Sequence, residues 1–124
     1  MSQETIAPHG GTLVNRELES DGVEKAREES QNLPEIHLDA REMADLEMIG
    51  VGAMSPLTGF MSKDDYESVV HQMHLSDGNA WTLPITLSID GNKNEELRNH
   101  DRAVLIEDAT GLAVGIIEID EIYQ

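Results

Sequence analysis

The spacing of apolar residues changes period near the middle of the chain. In residues 39–50, Met43, Leu46 and Ile49 recur every third position with Asp and Glu between them, which predicts an amphipathic helix ended by Gly50-Val51-Gly52. Residues 62–75 carry the clearer pattern. Tyr66, Val69, Val70 and Met73 fall at i, i+3, i+4 and i+7 as one stripe. Ser62-Lys63-Asp64-Asp65 ahead of them has the form of a capping box, with Asp for the usual Glu. After the turn-forming Ser76-Asp77-Gly78-Asn79 the period drops to two. Trp81, Leu83, Ile85, Leu87 and Ile89 alternate with Thr82, Pro84, Thr86 and Ser88, predicting a half-buried strand that Pro84 places at a sheet edge or at its own start. Asp90 to His100 is a polar loop with one helical turn around Glu95-Glu96-Leu97. Ala103–Glu107 and Leu112–Ile119 read as strands joined by the hairpin turn Asp108-Ala109-Thr110-Gly111. The inward set of the second strand slips from Leu112, Val114 and Ile116 to Ile117 and Ile119 beside Gly115, as at a β-bulge.

The first third is less regular. Pro8-His9-Gly10-Gly11 marks a turn or a close backbone approach, and Thr12–Arg16 reads as a short strand. Residues 17–32 form a solvated surface helix with Ser20 as N-cap and an Asp21/Lys25 pair, stopped by Leu33-Pro34. Glu35–Leu38 alternates like a strand. Helices therefore gather in the first half and antiparallel strands in the second. The expected fold is α+β, a small bulged antiparallel β-barrel with three helices, in one domain spanning 1–124. Between the second and third helices stands Met54-Ser55-Pro56-Leu57-Thr58-Gly59-Phe60-Met61. Its Pro, its Gly and the only Phe of the chain describe a rigid, docked loop.

Composition narrows the function. With no cysteine, a disulfide framework, a thiolate metal site and a Cys nucleophile are excluded, and a cytoplasmic setting is expected. No apolar run reaches the length of a membrane span, and Met1–Thr5 lacks the basic and apolar regions of a signal peptide. Twenty-five acids against eight Lys and Arg give a net charge of −17. Such a surface repels phosphate backbones, so no nucleic-acid partner is expected. An acidic surface with only three lysines also fits a halophilic source, where salt screens self-repulsion.

Chemistry is sparse. His71 and His74 have His-x-x-His spacing on a helix, yet no third ligand stands nearby, and a surface pair at a helix C-terminus is the better reading. His9, His37 and His100 are isolated. Gly50-Val51-Gly52 follows a helix and lacks the rest of a dinucleotide fingerprint; there is no P-loop, and Ser55 has no nucleophile-elbow glycines.

Two longer runs carry a resemblance. Pro8-His9-Gly10-Gly11-x-Leu13-Val14-Asn15-Arg16, and Asp45-Leu46-Glu47-x-Ile49-Gly50-x-Gly52-Ala53-x-Ser55-Pro56-Leu57-Thr58-Gly59-Phe60-Met61, resemble the N-terminal region of ATP sulfurylase (sulfate adenylyltransferase). Asp65-Tyr66-Glu67-Ser68-Val69-Val70 and Trp81-x-Leu83-Pro84-Ile85-Thr86-Leu87 extend the likeness in the same order. The resemblance implies a PUA-like domain that precedes a larger nucleotide-binding α/β domain. The family enzyme joins sulfate and ATP, with Mg²⁺ on the nucleotide, into adenylyl sulfate and pyrophosphate, the first activation step of sulfate assimilation. The family's Gln-x-Arg-Asn-Pro motif and nucleotide His-x-x-His belong to that second domain and have no counterpart here. Leu97-Arg98-Asn99-His100 lacks the Gln and the Pro, and His71/His74 lie in the wrong domain. The chain is thus expected to be inactive alone, truncated where the second domain would follow, with no catalytic, cofactor or metal residue of its own. Mg-ATP would belong to the full-length enzyme, and a homo-oligomer of that enzyme stays open. His9, Gly10, Gly11, Asn15, Arg16, Ser55, Pro56, Leu57, Thr58, Gly59 and Phe60 are expected to make structural or interdomain contacts, with an apolar face docking the catalytic domain. The alternatives are a free-standing PUA-like binding module and a metal-dependent sensor using His71 and His74.

Overall fold

Ile36 and Leu38 alternate with Glu35 and His37, and the strand they form, β1 (Glu35–Leu38), buries the first pair and exposes the second. The computed structural model describes residues 6–124; Met1–Thr5, read above for signal-peptide character, lies outside them. β1 pairs with β2 (Arg102–Glu107), which pairs with β3 (Ala113–Glu118), in the order β1-β2-β3. Laddered on both sides, β2 buries Ala103, Val104, Leu105 and Ile106 consecutively, as a central strand covered on both faces does. The expected bulge is present. Leu105 faces Gly115 and Ile106 faces Ala113, so Val114 is the extra residue. The α+β class also holds.

The sheet is mixed rather than antiparallel throughout, because β1 runs parallel to β2. A hairpin forces antiparallel pairing only between strands adjacent in sequence, and here helices and the central loop intervene. Trp81–Ile89 is extended but joins no ladder. Pro84 has no N–H, the Ser88 N–H is taken by the Glu42 carboxylate at 3.0 Å, and Met61 N–H reaches the Ile85 carbonyl alone at 2.8 Å. Thr12–Arg16 is likewise not a strand.

The described residues hold four helices, one more than expected: α1 (Ser20–Ser30), α2 (Ala40–Gly50), α3 (Lys63–Gln72) and α4 (Gly91–Leu97). α4 fills the polar loop because Asp90 caps the Lys93 N–H at 2.8 Å and Leu97 is buried. In α1 the N-cap is Glu19, without a side-chain cap bond, so Ser20 is the first helical residue and not the cap. α1 buries no residue, as its charge predicts. α2 opens with a full capping box between Asp39 and Glu42. The stripe on α3 is only half right. Val69 is buried, but Val70 and Met73 are exposed, because Met73 leaves the helix at φ 58° and Leu75 takes the inward place.

Two apolar clusters result. One joins Ile36, Leu38, Leu97, Ala103 and Leu105 beneath the sheet. The other joins Met54, Leu57 and Met61 of the central loop to Ile49, Val69, Leu75 and Ile85. The 81–89 run bridges them, with Trp81 on the loop cluster and Leu87 and Ile89 on the sheet cluster.

Candidate functional site

The N-terminal run and the central loop, far apart in sequence, form one unit. Ser55 is 4% exposed, and its hydroxyl does two jobs. It donates to the Gly52 carbonyl at 2.7 Å and accepts from the Val14 N–H at 2.9 Å, pinning the N-terminal run. Arg16 N–H adds a bond to the Gly50 carbonyl at 2.9 Å. The closeness explains two glycines. A Cβ on Gly52, at φ +86°, would stand 2.6 Å from Leu13 Cδ1 and 3.1 Å from the Val14 carbonyl oxygen. A Cβ on Gly10, at φ +79°, would meet the Pro56 ring at 2.9 Å.

Beyond this contact His9 Nε2 lies 2.6 Å from the Ala80 carbonyl, and its ring sits 6.0 Å from that of Trp81. Gly11 N–H closes a turn on the Pro8 carbonyl at 2.9 Å, and Asn15 Oδ1 accepts from Glu17 N–H at 2.8 Å. In the loop itself, Leu57 is buried, Pro56 follows a cis peptide, Phe60 is half-buried against the loop cluster, and Thr58 is exposed.

A cleft of about 650 Å³ opens between Pro56–Ser62, Thr86–Ile89 and Ile117–Gln124. Its walls carry Asp65, Asp77, Glu118, Asp120 and Glu121, with no Lys, Arg or His. A phosphate or sulfate would meet net repulsion there, with no cation to offset the carboxylates. The C-terminal segment closes one side. Glu121 Oε1 accepts the Lys63 N–H at the start of α3 at 2.7 Å, where the helix dipole favours an anion. Tyr123 donates its hydroxyl to the Met61 carbonyl at 2.8 Å and packs on Tyr66, ring centres 6.1 Å apart. Burial first, then the negative charge of Glu121, raises the Tyr123 pKa above its ordinary value.

The histidine pair is split by the end of α3. His71 stays exposed on the helix, whereas His74 lies past Met73, bridges to Ala80 and turns Nδ1 to the Leu75 carbonyl at 2.8 Å. His37 sits at the surface between Glu35 (3.3 Å) and Asp108 (3.2 Å). Among the described residues no three His, Cys, Asp or Glu stand where they could hold a metal ion. Sequence reasoning missed the parts played by Gly52, Ala80 and Glu42. Gly52 and Ala80 act through residues remote in sequence; Glu42 has a local signal in its Asp39-x-x-Glu42 capping spacing, but its bond to Ser88 is remote.

The chain resembles known proteins along nearly its whole length. The PUA-like domain family matches residues 6–124. The sulfate adenylyltransferase of Symbiobacterium thermophilum is 47% identical over 116 residues, 94% of this chain and 29% of the relative. That of Acaryochloris marina is 45% identical over 121 residues, 98% of this chain and 31% of the relative. A probable bifunctional SAT/APS kinase 2 of Sorangium cellulosum is 44% identical over 96% of this chain and 20% of its own length. Among solved structures, a hexameric APS kinase from Thiobacillus denitrificans superposes with a TM-score of 0.83 at 35% identity, covering 98% of this chain and 24% of that one. The chain thus spans under a third of the length of these relatives.

Proposed function

The chain belongs to the PUA-like domain family, and we propose that it serves as the non-catalytic domain of a sulfate adenylyltransferase. The observation that carries the reading is one of coverage. Relatives of that name match almost all of this chain, while most of their own length lies outside the match. In this reading a separate catalytic domain joins sulfate and ATP into adenylyl sulfate and pyrophosphate, in the cytoplasm, for sulfate assimilation. The cleft does not fit Mg-ATP, since its walls offer carboxylates without a cation for the phosphates. In this reading the nucleotide binds on the catalytic domain. Pro8–Arg16 and Ser55–Phe60 act as scaffold, fastened to one another, with the apolar docking surface elsewhere on the same lobe. No helix among the described residues is long and apolar enough to cross a membrane.

Mixing this chain with the separately expressed remainder of the Symbiobacterium relative, and assaying pyrophosphate release from ATP and sulfate, tests the reading. The chain alone gives none, and the mixture exceeds the remainder alone. Adenylyl sulfate made by this chain alone would place the site here and overturn the proposal. The net charge of −17 further supports a halophilic source. Unfolding midpoints then rise steeply from low to molar salt; an unchanged midpoint removes that part.

A further inference from the structure

The carboxylates are unevenly placed. None of the 25 falls in residues 5–16, 48–63, 68–76 or 78–89, although these stretches hold Arg16, Lys63 and three of the five histidines. Folding brings the stretches together: Val14 bonds Ser55, His9 bonds Ala80, and Trp81 N–H bonds the Met73 carbonyl at 2.9 Å. The lobe so formed is poorer in carboxylates than the rest of the chain, and those that border it, Glu47, Asp64, Asp65, Glu67 and Asp77, stand at the ends of the stretches. The same lobe leaves large apolar side chains in the open. Leu13, Met48, Val51, Val70, Met73 and Leu83 are exposed, Met73 to 67% and Leu83 to 60%. Large apolar side chains left in the open on the carboxylate-poor side of so acidic a chain signal a partner.

We infer that this carboxylate-poor lobe, centred on Val70, Met73 and Leu83 beside Trp81, is the face that receives the catalytic domain. The inference rests on the sulfate adenylyltransferase reading. Charge selects the occupant. Nucleic acid would need clustered cations, and Arg16 and Lys63 do not supply them. A second copy would set two chains of −17 against each other. What fits is a neutral, apolar protein surface, and the relatives carry more than two-thirds of their length outside the matched region to provide one.

The test is binding of this chain to the remainder of the Symbiobacterium relative, measured by sedimentation and by peroxide oxidation of methionines. The wild-type chain binds and Met73 becomes protected. The double variant Met73→Asp/Leu83→Asp, at two exposed positions, melts like wild type and binds at least roughly tenfold more weakly. Leu112→Asp, an exposed apolar position outside the lobe, binds like wild type. If the double variant binds unchanged while Leu112→Asp weakens, the face is wrong and the domain assignment stands. If the wild-type chain does not bind a folded remainder at all, the domain assignment itself fails. Self-association abolished by Met73→Asp/Leu83→Asp would give the lobe to a second copy and overturn the inference.

Discussion

The sheet core and the loop core bury similar aliphatic side chains but are held by different bonds. Around Leu38, Ala103 and Leu105 the backbone is satisfied by ladders on both sides of β2, so position follows from register. Around Leu57, Met61 and Ile85 there is no ladder. Backbone groups are met by single bonds, such as Met61 N–H to the Ile85 carbonyl, and by side chains, such as Ser55 and Glu42. A ladder tolerates the loss of one side chain because its neighbours hold the register. A loop held by a few single bonds, among them the Ser55 hydroxyl and the Met61–Ile85 pair, places more of that work on each residue.

Breaking each core directly gives the largest effects. Leu105→Ala and Leu57→Ala each remove a buried leucine and should cost about 3 kcal/mol in urea unfolding. A negligible loss at Leu57 would show that the loop core does not contribute to global stability. Phe60→Ala should cost less, about 2 kcal/mol, since the ring is only half-buried against the cluster. A loss equal to that of Leu57 would make Phe60 a full core anchor. Ser55→Ala should cost about 1–2 kcal/mol by leaving the Val14 N–H without its partner, with faster proteolysis of the N-terminal run as a second readout. The smallest effect is set by pH. With its pKa raised in the fold, Tyr123 contributes stability that is fully present below about pH 10 and is lost as pH climbs past that value. Tyr123→Phe should flatten the alkaline slope of the unfolding midpoint; an unchanged slope would assign the sensitivity to another group.

The same contrast explains how much of the structure is legible in the chain. β2, β3, their turn and the bulge at Gly115 come from local alternation and its slip, α2 from its spacing, and α3 from its cap and spacing. Trp81–Ile89 alternates as well as any strand, yet it is extended chain, because alternation reports which side faces a core and not whether a neighbour offers a ladder. The exposure of Val70 and Met73 is hidden by the left-handed turn at Met73, which no glycine announces. Ser55 and Gly52 stand out as part of a resemblance, but their work needs Leu13 and Val14 beside them, a proximity that only the folded chain supplies.

Helix α1 is attached by shallow packing, with Val23 and Ala26 only half-buried, and by charge. It buries no side chain, and an ion pair ties it to the sheet, Arg102 Nη1 donating to Glu29, while Arg102 Nε is buried without a partner. Its amide hydrogens should therefore exchange through an opening of its own, at a small fraction of the free energy needed to expose β2. Arg102→Leu would then quicken exchange along α1 and leave the protection of β2 nearly intact, so that the helix opens while the sheet stays closed.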